Sequence, residues 1–471
     1  MNLNLVSPPE PRAQSEERYA ARLSPLDASF LDVEGPTAHM HVGWAAEFLP
    51  PSDRPSPGYP ELRSHIESRL GRAPRYRQRL AGLPLGLDDP VWIDDDGFDA
   101  DEHIHRAPWP DMAVAADAVF SRPLARDRSP WELWIGEQLR GGRLGIVGKV
   151  HHCMVDGLAA WDLAGLLLDP TPDSVPQERD RWRARPAPSA LEMLAAGLHD
   201  RATHGLNLVT RLLRTSRSPT RLVGASAAAL RGSRALARAA LPPASPTPLN
   251  QPLTSERRLV RIRRAISDLQ MVKERHRVSL NDVLLAVCAG AMRDLMRARG
   301  EEPTALKTMV PASVRRSDRT GELGNQVSAV FVDLPCDEPS PVHRLHRLHR
   351  LMGKRKQAGD HHVVREAIDA LSYVPRPLRQ AGVRLAAASR LAFNLTVSNI
   401  PGPGVPLYMR GCRLEAAYPV VPIPERHGLS IGMTTIEGHA CFGVYVDPGV
   451  VPDAGDLDEG LHRAIDELLA R

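Results

Sequence analysis

Cysteine pairs and long apolar runs are both missing from this sequence. The five cysteines are scattered over 471 residues without a CxxC pair. This argues against a disulfide framework and a structural zinc site, and it favours a reducing compartment. No run approaches the roughly 18 apolar residues that span a bilayer. We therefore expect any contact with a membrane to be peripheral.

A large net charge and a secretory signal are missing as well. The formal net charge of +4 is small for this length, and it does not indicate a nucleic-acid binder. Residues 1–20 are polar and contain prolines, without the apolar core of a signal peptide. We expect a cytoplasmic protein with no nucleic-acid partner.

The chain does have length, proline and a hydrophobic share of 42%. Its 43 prolines stiffen loops and helix ends. A chain of 471 residues is too long for one core and suggests two domains of roughly 200 residues each. We predict a mobile tail over 1–20, an α/β domain over 21–170, a basic linker over 171–256 and a second α/β domain over 257–471.

Apolar periodicity indicates alternating strands and helices in both domains. In the first domain, it predicts strands over 41–48 and 144–150 and helices over 60–70 and 161–168. In the second domain, the stretch 278–296 is apolar nearly all round and predicts a buried helix. The second domain also shows patterns for a basic helix over 344–351, strands over 309–313, 327–334 and 393–399, and a hairpin with strands over 429–435 and 440–446.

The predicted linker is strongly basic. Residues 181–240 contain 11 arginines against only Glu192 and Asp200. Apolar residues such as Leu212 recur at helical spacing beside Arg211. Two interpretations are open: a long crossover with one or two surface helices, or an amphipathic segment on an anionic lipid surface. Both can hold at once.

The most informative motif is HHCMVDG at 151–157, an HHxxxDG pattern directly after the predicted strand at 144–150. Adjacent strand residues point to opposite sides, so only one of His151 and His152 can face a cleft. An imidazole is basic near neutral pH and can take a hydroxyl or amine proton, an effect of about 10²–10⁴ in rate. The motif therefore predicts a general base at the end of a strand.

The other residues of the motif fit this interpretation. Asp156 stands at a helix start, where capping and the helix dipole favour a carboxylate. Gly157 leaves space where helix and strand meet. The competing structural interpretation is a buried histidine pair satisfied by hydrogen bonds. Metal binding is disfavoured because neighbouring strand histidines diverge, and Cys153 is flanked by better candidates for the chemistry.

Other histidines give weaker signals. Histidines recur every three residues at and within the predicted helix at 344–351, but the interleaved arginines would repel a cation: His343, His346 and His349. We predict a solvated basic helix there. The pair at 361–362 lacks the Asp-Gly and is predicted to lie on the surface. His103 and His105 are predicted to occupy alternating strand positions.

HHxxxDG is the signature of coenzyme-A-dependent acyltransferases, including the chloramphenicol acetyltransferase and condensation-domain groups. The wider pattern resembles the bacterial wax ester synthase/diacylglycerol acyltransferase family. One departure is SPW at 129–131, where the family usually has PLW. The remaining motifs occur in the family's order: LSPLD at 23–27, HMHVG at 39–43, WELW at 131–134, NDV at 281–283, VSNIPGP at 397–403 and VPD at 451–453.

The resemblance implies an α/β fold of two chloramphenicol-acetyltransferase-like domains, joined by a long crossover segment, with the active site at their interface. It implies an O-acyltransferase that moves a long-chain acyl group from acyl-CoA to a lipid hydroxyl. Diacylglycerol would give triacylglycerol, and a fatty alcohol would give a wax ester. Acyl-CoA is a substrate here, with no cofactor or metal, and the enzyme would work peripherally at a membrane or lipid-body surface.

The resemblance also assigns roles to residues. His152 would be the general base, with His151, Asp156 and Gly157 shaping its surroundings. Because a thioester is already activated, no covalent enzyme intermediate is required. Asn281 is the first candidate to stabilise the tetrahedral oxyanion and Asn399 the second, with turn or helix-cap duty as the alternative for both. Candidates for the substrate cleft are Trp131, Asp282, Ser398, Pro401 and Gly402.

Two other functions stay open at this point. One is an acyltransferase of the same fold that acts on a non-lipid alcohol or amine. The other is a catalytically silent protein that binds lipid surfaces. The intact HHxxxDG motif speaks against the second.

Overall fold

The computed structural model of the chain describes most of the two predicted domains and little of the predicted linker. Within the residues that the structure describes, every helix falls short of the length and apolar character that a bilayer span requires. The structure describes residues 21–82, 88–154, 167–173, 182–197, 199, 203, 243–313, 327–358, 374, 376–387, 389 and 391–471.

The described chain contains both strands and α-helices. The strands are β1 (His41–Leu49), β2 (Gln78–Ala81), β3 (Val91–Asp94), β4 (Ile104–Arg106), β5 (Trp131–Leu139), β6 (Arg143–His151), β7 (Arg258–Ala265), β8 (Leu306–Ser313), β9 (Val327–Leu334), β10 (Leu395–Ile400), β11 (Tyr408–Met409), β12 (Cys412–Val420), β13 (Leu429–Ile436) and β14 (His439–Val446). The α-helices are α1 (Pro25–Val33), α2 (Tyr59–Glu67), α3 (Met112–Phe120), α4 (Ile266–His276), α5 (Leu280–Ala298), α6 (Pro341–Ala358), α7 (Arg376–Ala387) and α8 (Asp456–Leu469).

The first large sheet combines both halves of the chain. Its strand order in the described residues is β11-β12-β1-β6-β5-β4. Strand β1 is antiparallel to both neighbours, with Ala45 opposite Tyr418 of β12 on one side and Val147 of β6 on the other. Strands β11 and β12 come from the range 257–471, so the predicted second domain contributes to the sheet that carries the histidine motif.

The second large sheet has the order β7-β14-β13-β10-β8-β9 in the described residues. Strands β13 and β14 form the predicted hairpin, in which Ile436 lies opposite His439. The two residues between them, Glu437 and Gly438, have φ values of 46° and 73°. Positive φ at both central positions is the geometry of a type I′ turn, which matches the twist of antiparallel strands.

Helix α5 is the central helix of the second half. Its first turn is a capping box, in which the Ser279 hydroxyl accepts from the backbone N–H of Asp282 and the Asp282 carboxylate accepts from that of Ser279. Helix α4 ends just before it, at Arg277, in the left-handed conformation with φ 54°. Residues 283–292 of α5 are buried throughout, which confirms the predicted buried helix.

Polar contacts connect the first sheet to the second. The Arg257 guanidinium is buried and contacts the Thr37 carbonyl and, at 3.4 Å, the Asp447 carboxylate. The Nε2 atom of His41, at the start of β1, lies 3.2 Å from the Tyr445 hydroxyl of β14. Because a buried charge is stabilised only when it is paired, these contacts fix the relative position of the two sheets at the edge where β1 begins.

Most element predictions in the described ranges are confirmed. The strands at 41–48, 144–150 and 327–334 and the helices at 60–70 and 344–351 are present with small shifts in their ends. The prediction for His103 is wrong. It follows a short 3-10 helix and stacks on Trp131, and only His105 lies on a strand. The helix predicted over 161–168, the histidine pair at 361–362 and most of the basic segment lie outside the described residues.

Helix α6 is less solvated than predicted. Leu345 and Leu348 are fully buried, and the buried Arg344 binds Glu467 at 3.1 Å. His349 also has a protein partner, since its Nδ1 lies 2.9 Å from the Asp282 carboxylate. Within the described residues, no group of three or more potential ligands is arranged to hold a metal ion.

Candidate active site

Strand β6 brings the histidine pair to the end of the first sheet. His151 is its last residue and lies opposite His41 of β1. The backbone N–H of His152 donates to the Met40 carbonyl at 2.9 Å, which extends the pairing by one residue before the chain turns. The backbone N–H of Met154 then donates to the His151 carbonyl at 2.9 Å and closes a turn. The pair is therefore held by backbone hydrogen bonds on both sides of the turn.

His151 is the inner member of the pair. Its side chain is fully buried, and its Nδ1 accepts a hydrogen bond from the backbone N–H of Cys153 at 3.1 Å. Burial first, and then the nearby Arg126 guanidinium and His152, hold the pKa of His151 well below its usual range. His151 is therefore neutral, and because its Nδ1 is an acceptor, its proton lies on Nε2.

The proton on His151 Nε2 faces a carboxylate. Glu34 is the residue that follows α1, and its Oε2 atom lies 3.7 Å from this nitrogen. The Glu34 side chain is only 10% exposed and forms an ion pair with Arg126. The distance is too long for a direct hydrogen bond, so the attraction between Glu34 and the Nε2–H is electrostatic.

His152 is the outer member of the pair and is partly exposed. Its ring stacks on Phe30 of α1, with ring centroids 3.7 Å apart and an interplanar angle of 10°. One face of the imidazole is thus covered by an aromatic ring. Of the two motif histidines, His152 alone is partly exposed.

Two further histidines lie behind the pair. His39 and His41 are both buried, with ring centroids 5.7 Å apart. Burial lowers the pKa of each, and the Lys149 ammonium lowers that of His41 further. Lys149 is itself buried, 3.3 Å from Glu132, and donates to two backbone carbonyls. His39 and His41 are therefore neutral, and they are packed behind the motif.

The structure gives separate places to the other predicted site residues. Asn281 is partly exposed, at the second position of α5. The Asp282 carboxylate is buried and is used by the capping box and by His349. Asp282 thus has a structural role in the start of α5 and in its contact with α6. Asp156 and Gly157 lie outside the described residues.

Residues 398–400 lie within the parallel pairing of β10 with β13, and residues 401 and 402 follow it. Ser398 is 9% exposed, Asn399 is partly exposed, and Pro401 is exposed. A Cβ added to Gly402 would lie 1.7 Å from the Thr435 carbonyl oxygen. Only glycine permits this approach, so the turn is seated directly on the backbone of β13.

Trp131 lies in the core of the first half and is 3% exposed. Its indole N–H donates to the Tyr76 carbonyl at 2.8 Å, and its ring stacks on His103. This position satisfies the indole and packs it on both sides. Trp131 is therefore a packing residue at the start of β5.

Sequence reasoning did not identify Phe30, Glu34 or Arg126. Phe30 and Glu34 lie just beyond the LSPLD motif at 23–27, which begins α1. The only available signal was their spacing of four residues, which places two side chains on one helix face. Arg126 has no local pattern that marks it.

The chain matches models of known protein families over most of its length. The model described as the wax ester synthase/diacylglycerol acyltransferase catalytic domain matches residues 23–284. The model of the WS/DGAT C-terminal domain matches residues 323–469. A putative diacylglycerol O-acyltransferase of Mycobacterium tuberculosis is 32% identical, covering 95% of this chain and 90% of the relative. A probable diacylglycerol O-acyltransferase of the same species is 30% identical, covering 95% and 96%.

Solved structures match the fold. A wax ester synthase/diacylglycerol acyltransferase from Marinobacter aquaeolei VT8 matches with a TM-score of 0.68 and 24% identity, covering 95% of this chain and 98% of that one. A starter condensation domain of rhizomide synthetase, solved with C8-CoA and Leu-SNAC, has a TM-score of 0.57 and 14% identity, covering 96% and 94%. The predicted α/β fold of two chloramphenicol-acetyltransferase-like domains is confirmed.

Proposed function

This chain belongs to the wax ester synthase/diacylglycerol acyltransferase family, and we propose that it transfers a long-chain acyl group from acyl-CoA to a lipid hydroxyl. The chain is an acyltransferase that acts on lipid. The acceptors we propose are diacylglycerol, which gives triacylglycerol, and fatty alcohols, which give wax esters. Acyl-CoA enters as a substrate, and the proposed reaction uses no cofactor because a thioester is already activated toward attack.

His152 is the general base in this proposal. Its imidazole takes the acceptor hydroxyl proton while the oxygen bonds to the thioester carbonyl carbon. The tetrahedral intermediate collapses as the C–S bond breaks, and the CoA thiolate takes the proton back from His152. The observation that supports this role is the difference in exposure between the two histidines. His152 is partly exposed, whereas His151 is fully buried, neutral and has its Nδ1 occupied.

The oxyanion of the tetrahedral intermediate needs a donor, which is worth about 10²–10³ in turnover. We propose Asn281 for this role, with Asn399 as second candidate, because both side chains are partly exposed at element ends. Asp156 and Gly157 would shape the loop after the histidines. Ser398, Pro401 and Gly402 would form a rigid wall, supported by the seat of Gly402 on β13.

A product assay tests the reaction. The enzyme receives labelled acyl-CoA and an equimolar mixture of diacylglycerol, fatty alcohol and a water-soluble alcohol and amine, and thin-layer chromatography separates the products. We expect triacylglycerol or wax ester from the wild type and loss of at least about 10²-fold in rate from His152→Ala. His343→Ala is the matched control because this histidine is 75% exposed on α6.

The outcomes separate the candidates. Near-native turnover in His152→Ala with a native fold would remove His152 from the mechanism. Preferred acylation of the water-soluble alcohol or amine would replace the lipid hydroxyl by the alternative acceptor. The similarity in fold to a condensation domain is the observation that favours the water-soluble alcohol or amine as a second candidate acceptor.

We further propose that the enzyme works from the cytoplasm at the surface of a membrane or lipid body, through helix α7. The charged side of this helix faces the protein: buried Arg379 pairs with Asp89, and Arg376 lies 3.8 Å from Asp32. Its outer side is apolar, with Leu378 68% and Leu385 78% exposed. This orientation is the reverse of an ordinary surface helix, and it suits an apolar partner.

The site and this apolar face are connected. Helix α7 packs on α1, which carries the Phe30 that stacks on His152. Inserting both leucines into the apolar boundary would contribute about 2 kcal/mol, which corresponds to about 30-fold in binding. We expect this loss for the Leu378→Ser, Leu385→Ser double variant in liposome sedimentation. Met271→Ser, at a residue 48% exposed on α4, is the control, and equal binding by all three proteins would refute this surface.

A further inference from the structure

We propose that helix α1 is the positioning element of the histidine pair, with Phe30 fixing the ring of His152 and Glu34 fixing the proton of His151. The inference rests on the proposed role of His152 as the base. Both residues lie outside the HHxxxDG motif and more than 100 positions before it. Neither would exchange a proton with substrate, so both act through the histidine that they contact.

The spacing of the two residues suits this task. Phe30 lies inside α1, and Glu34 is its C-terminal cap, four residues later. Phe30 is on the last turn of α1, and the chain leaves the helical conformation at Glu34, where φ is −67° and ψ is 139°. One helix therefore presents an aromatic ring to His152 and a carboxylate to His151.

Phe30 limits the rotation of the His152 ring. The two rings are nearly parallel, at 10°, with centroids 3.7 Å apart, so the imidazole cannot tilt toward Phe30 without overlap. A general base must point its nitrogen lone pair at the proton that it takes. The stack restricts the imidazole to one plane before the acceptor arrives.

Glu34 favours the same tautomer of His151 as the backbone N–H of Cys153 does. Its carboxylate faces the Nε2–H of His151 at 3.7 Å, while the backbone N–H of Cys153 donates to Nδ1 at 3.1 Å. With the proton on Nδ1 instead, two donors would face each other at the Cys153 contact. Since Cys153 follows His152 directly, the loss of this hydrogen bond would loosen the turn that carries the base.

Helix α1 is anchored from both ends. At its start, the Ser24 hydroxyl accepts from the backbone N–H of Asp27 at 3.1 Å, a standard N-cap. Near its end, buried Asp32 lies 3.8 Å from Arg376 of α7, and Arg384 of α7 donates to the Asp32 carbonyl at 2.7 Å. A helix held at both ends can serve as a rigid reference for a side chain on a turn.

Steady-state kinetics of acyl transfer test the role of Phe30. We expect Phe30→Leu to lower kcat about 10-fold with KM changed less than about twofold, because only the orientation of the base is lost. Phe30→Trp restores a flat ring and should recover most of the kcat. Phe98→Leu is the matched control, since Phe98 stacks on His103 with a 13° angle at a centroid distance of 5.0 Å.

The tautomer of His151 tests the role of Glu34. Long-range proton–nitrogen NMR spectra of protein labelled in its histidines distinguish Nδ1–H from Nε2–H rings, and a His151→Gln variant assigns the signal. We expect the Nε2–H form in the wild type and in Glu34→Gln, whose amide oxygen still faces the ring. Glu34→Ala should show a mixture of both forms and a lower kcat.

The outcomes separate this inference from the proposed function. Inactive His152→Ala together with full kcat in Phe30→Leu and Glu34→Ala would leave the base in place and overturn the role of α1. An unchanged His151 signal in Glu34→Ala would also overturn the role of Glu34. A fall in kcat that Phe30→Trp does not restore, with the unfolding temperature lowered equally in both variants, would assign Phe30 to folding alone. Active His152→Ala would instead refute the base itself.

Discussion

The turn after β10 allows a sharp test, because it contains two glycines in different surroundings. Gly402 and Gly404 both belong to the PGPG sequence at 401–404. A Cβ on Gly402 would lie 1.7 Å from the Thr435 carbonyl oxygen, whereas a Cβ on Gly404 would meet nothing within 4 Å. The same chemical change, glycine to alanine, should therefore be disruptive at Gly402 and tolerated at Gly404.

The size of the effect at Gly402 follows from this distance. Real Cβ contacts essentially never fall below 3.0 Å, so the turn must move away from β13 by at least 1.3 Å, the difference between 3.0 and 1.7 Å. The clash is with backbone, which cannot rotate away. Overpacking of this kind costs about 1–3 kcal/mol of stability. A misplacement of about 1 Å near a reaction centre can cost about 10²-fold in rate.

The assay compares Gly402→Ala with Gly404→Ala. We expect kcat/KM for acyl transfer to fall about 10²-fold in Gly402→Ala and to stay within about twofold of the wild type in Gly404→Ala. Thermal unfolding measured alongside should show a lower midpoint only for Gly402→Ala. Equal activity of the two variants would refute the proposed place of this turn in the substrate cleft.

Three further predictions concern other parts of the chain. Burial lowers the pKa of His65 to about 4, so the unfolded state binds a proton that the folded state does not. Stability should then fall by about 3 kcal/mol as the pH drops from about 6.5 to 4, and denaturant titrations should show a smaller fall for His65→Gln. Burial raises the pKa of the Cys153 thiol, so we expect it to react with a thiol reagent only after unfolding, and fast labelling of native protein would contradict its buried position. The last prediction concerns contact of the basic segment with anionic lipid, and its test neutralises four arginines together: Arg211, Arg214, Arg217 and Arg221. Liposome binding should weaken in this variant, and the loss should be larger at low salt. An unchanged bound fraction would favour a plain linker.

Local patterns in the sequence predicted local structure well. Strict alternation with a Glu-Gly turn predicted the β13–β14 hairpin, and a nearly continuous apolar run predicted the buried helix α5. The strand that ends in the histidine pair was predicted in the same way. These features depend on residues within one turn or one strand of each other, where periodicity and backbone preference decide the outcome.

The surroundings of the histidine pair could not be predicted in this way. Phe30 and Glu34 reach the pair only because α1 packs against the end of β6. Asp282 belongs to the NDV motif, yet its carboxylate caps a helix and binds His349, 67 residues away. No spacing rule connects residues so far apart, since their contact depends on how whole elements pack.

The sequence by itself predicted the family, the two-domain α/β class and a candidate base within the histidine pair. The tertiary structure alone decided that β12 completes the first sheet, where Ala45 lies opposite Tyr418. Residues 412–417 of β12 alternate between buried and less buried positions, a pattern that fits a strand of either sheet. Its partner is chosen by the total free energy of packing both faces, a quantity that belongs to the assembled molecule and to no single segment.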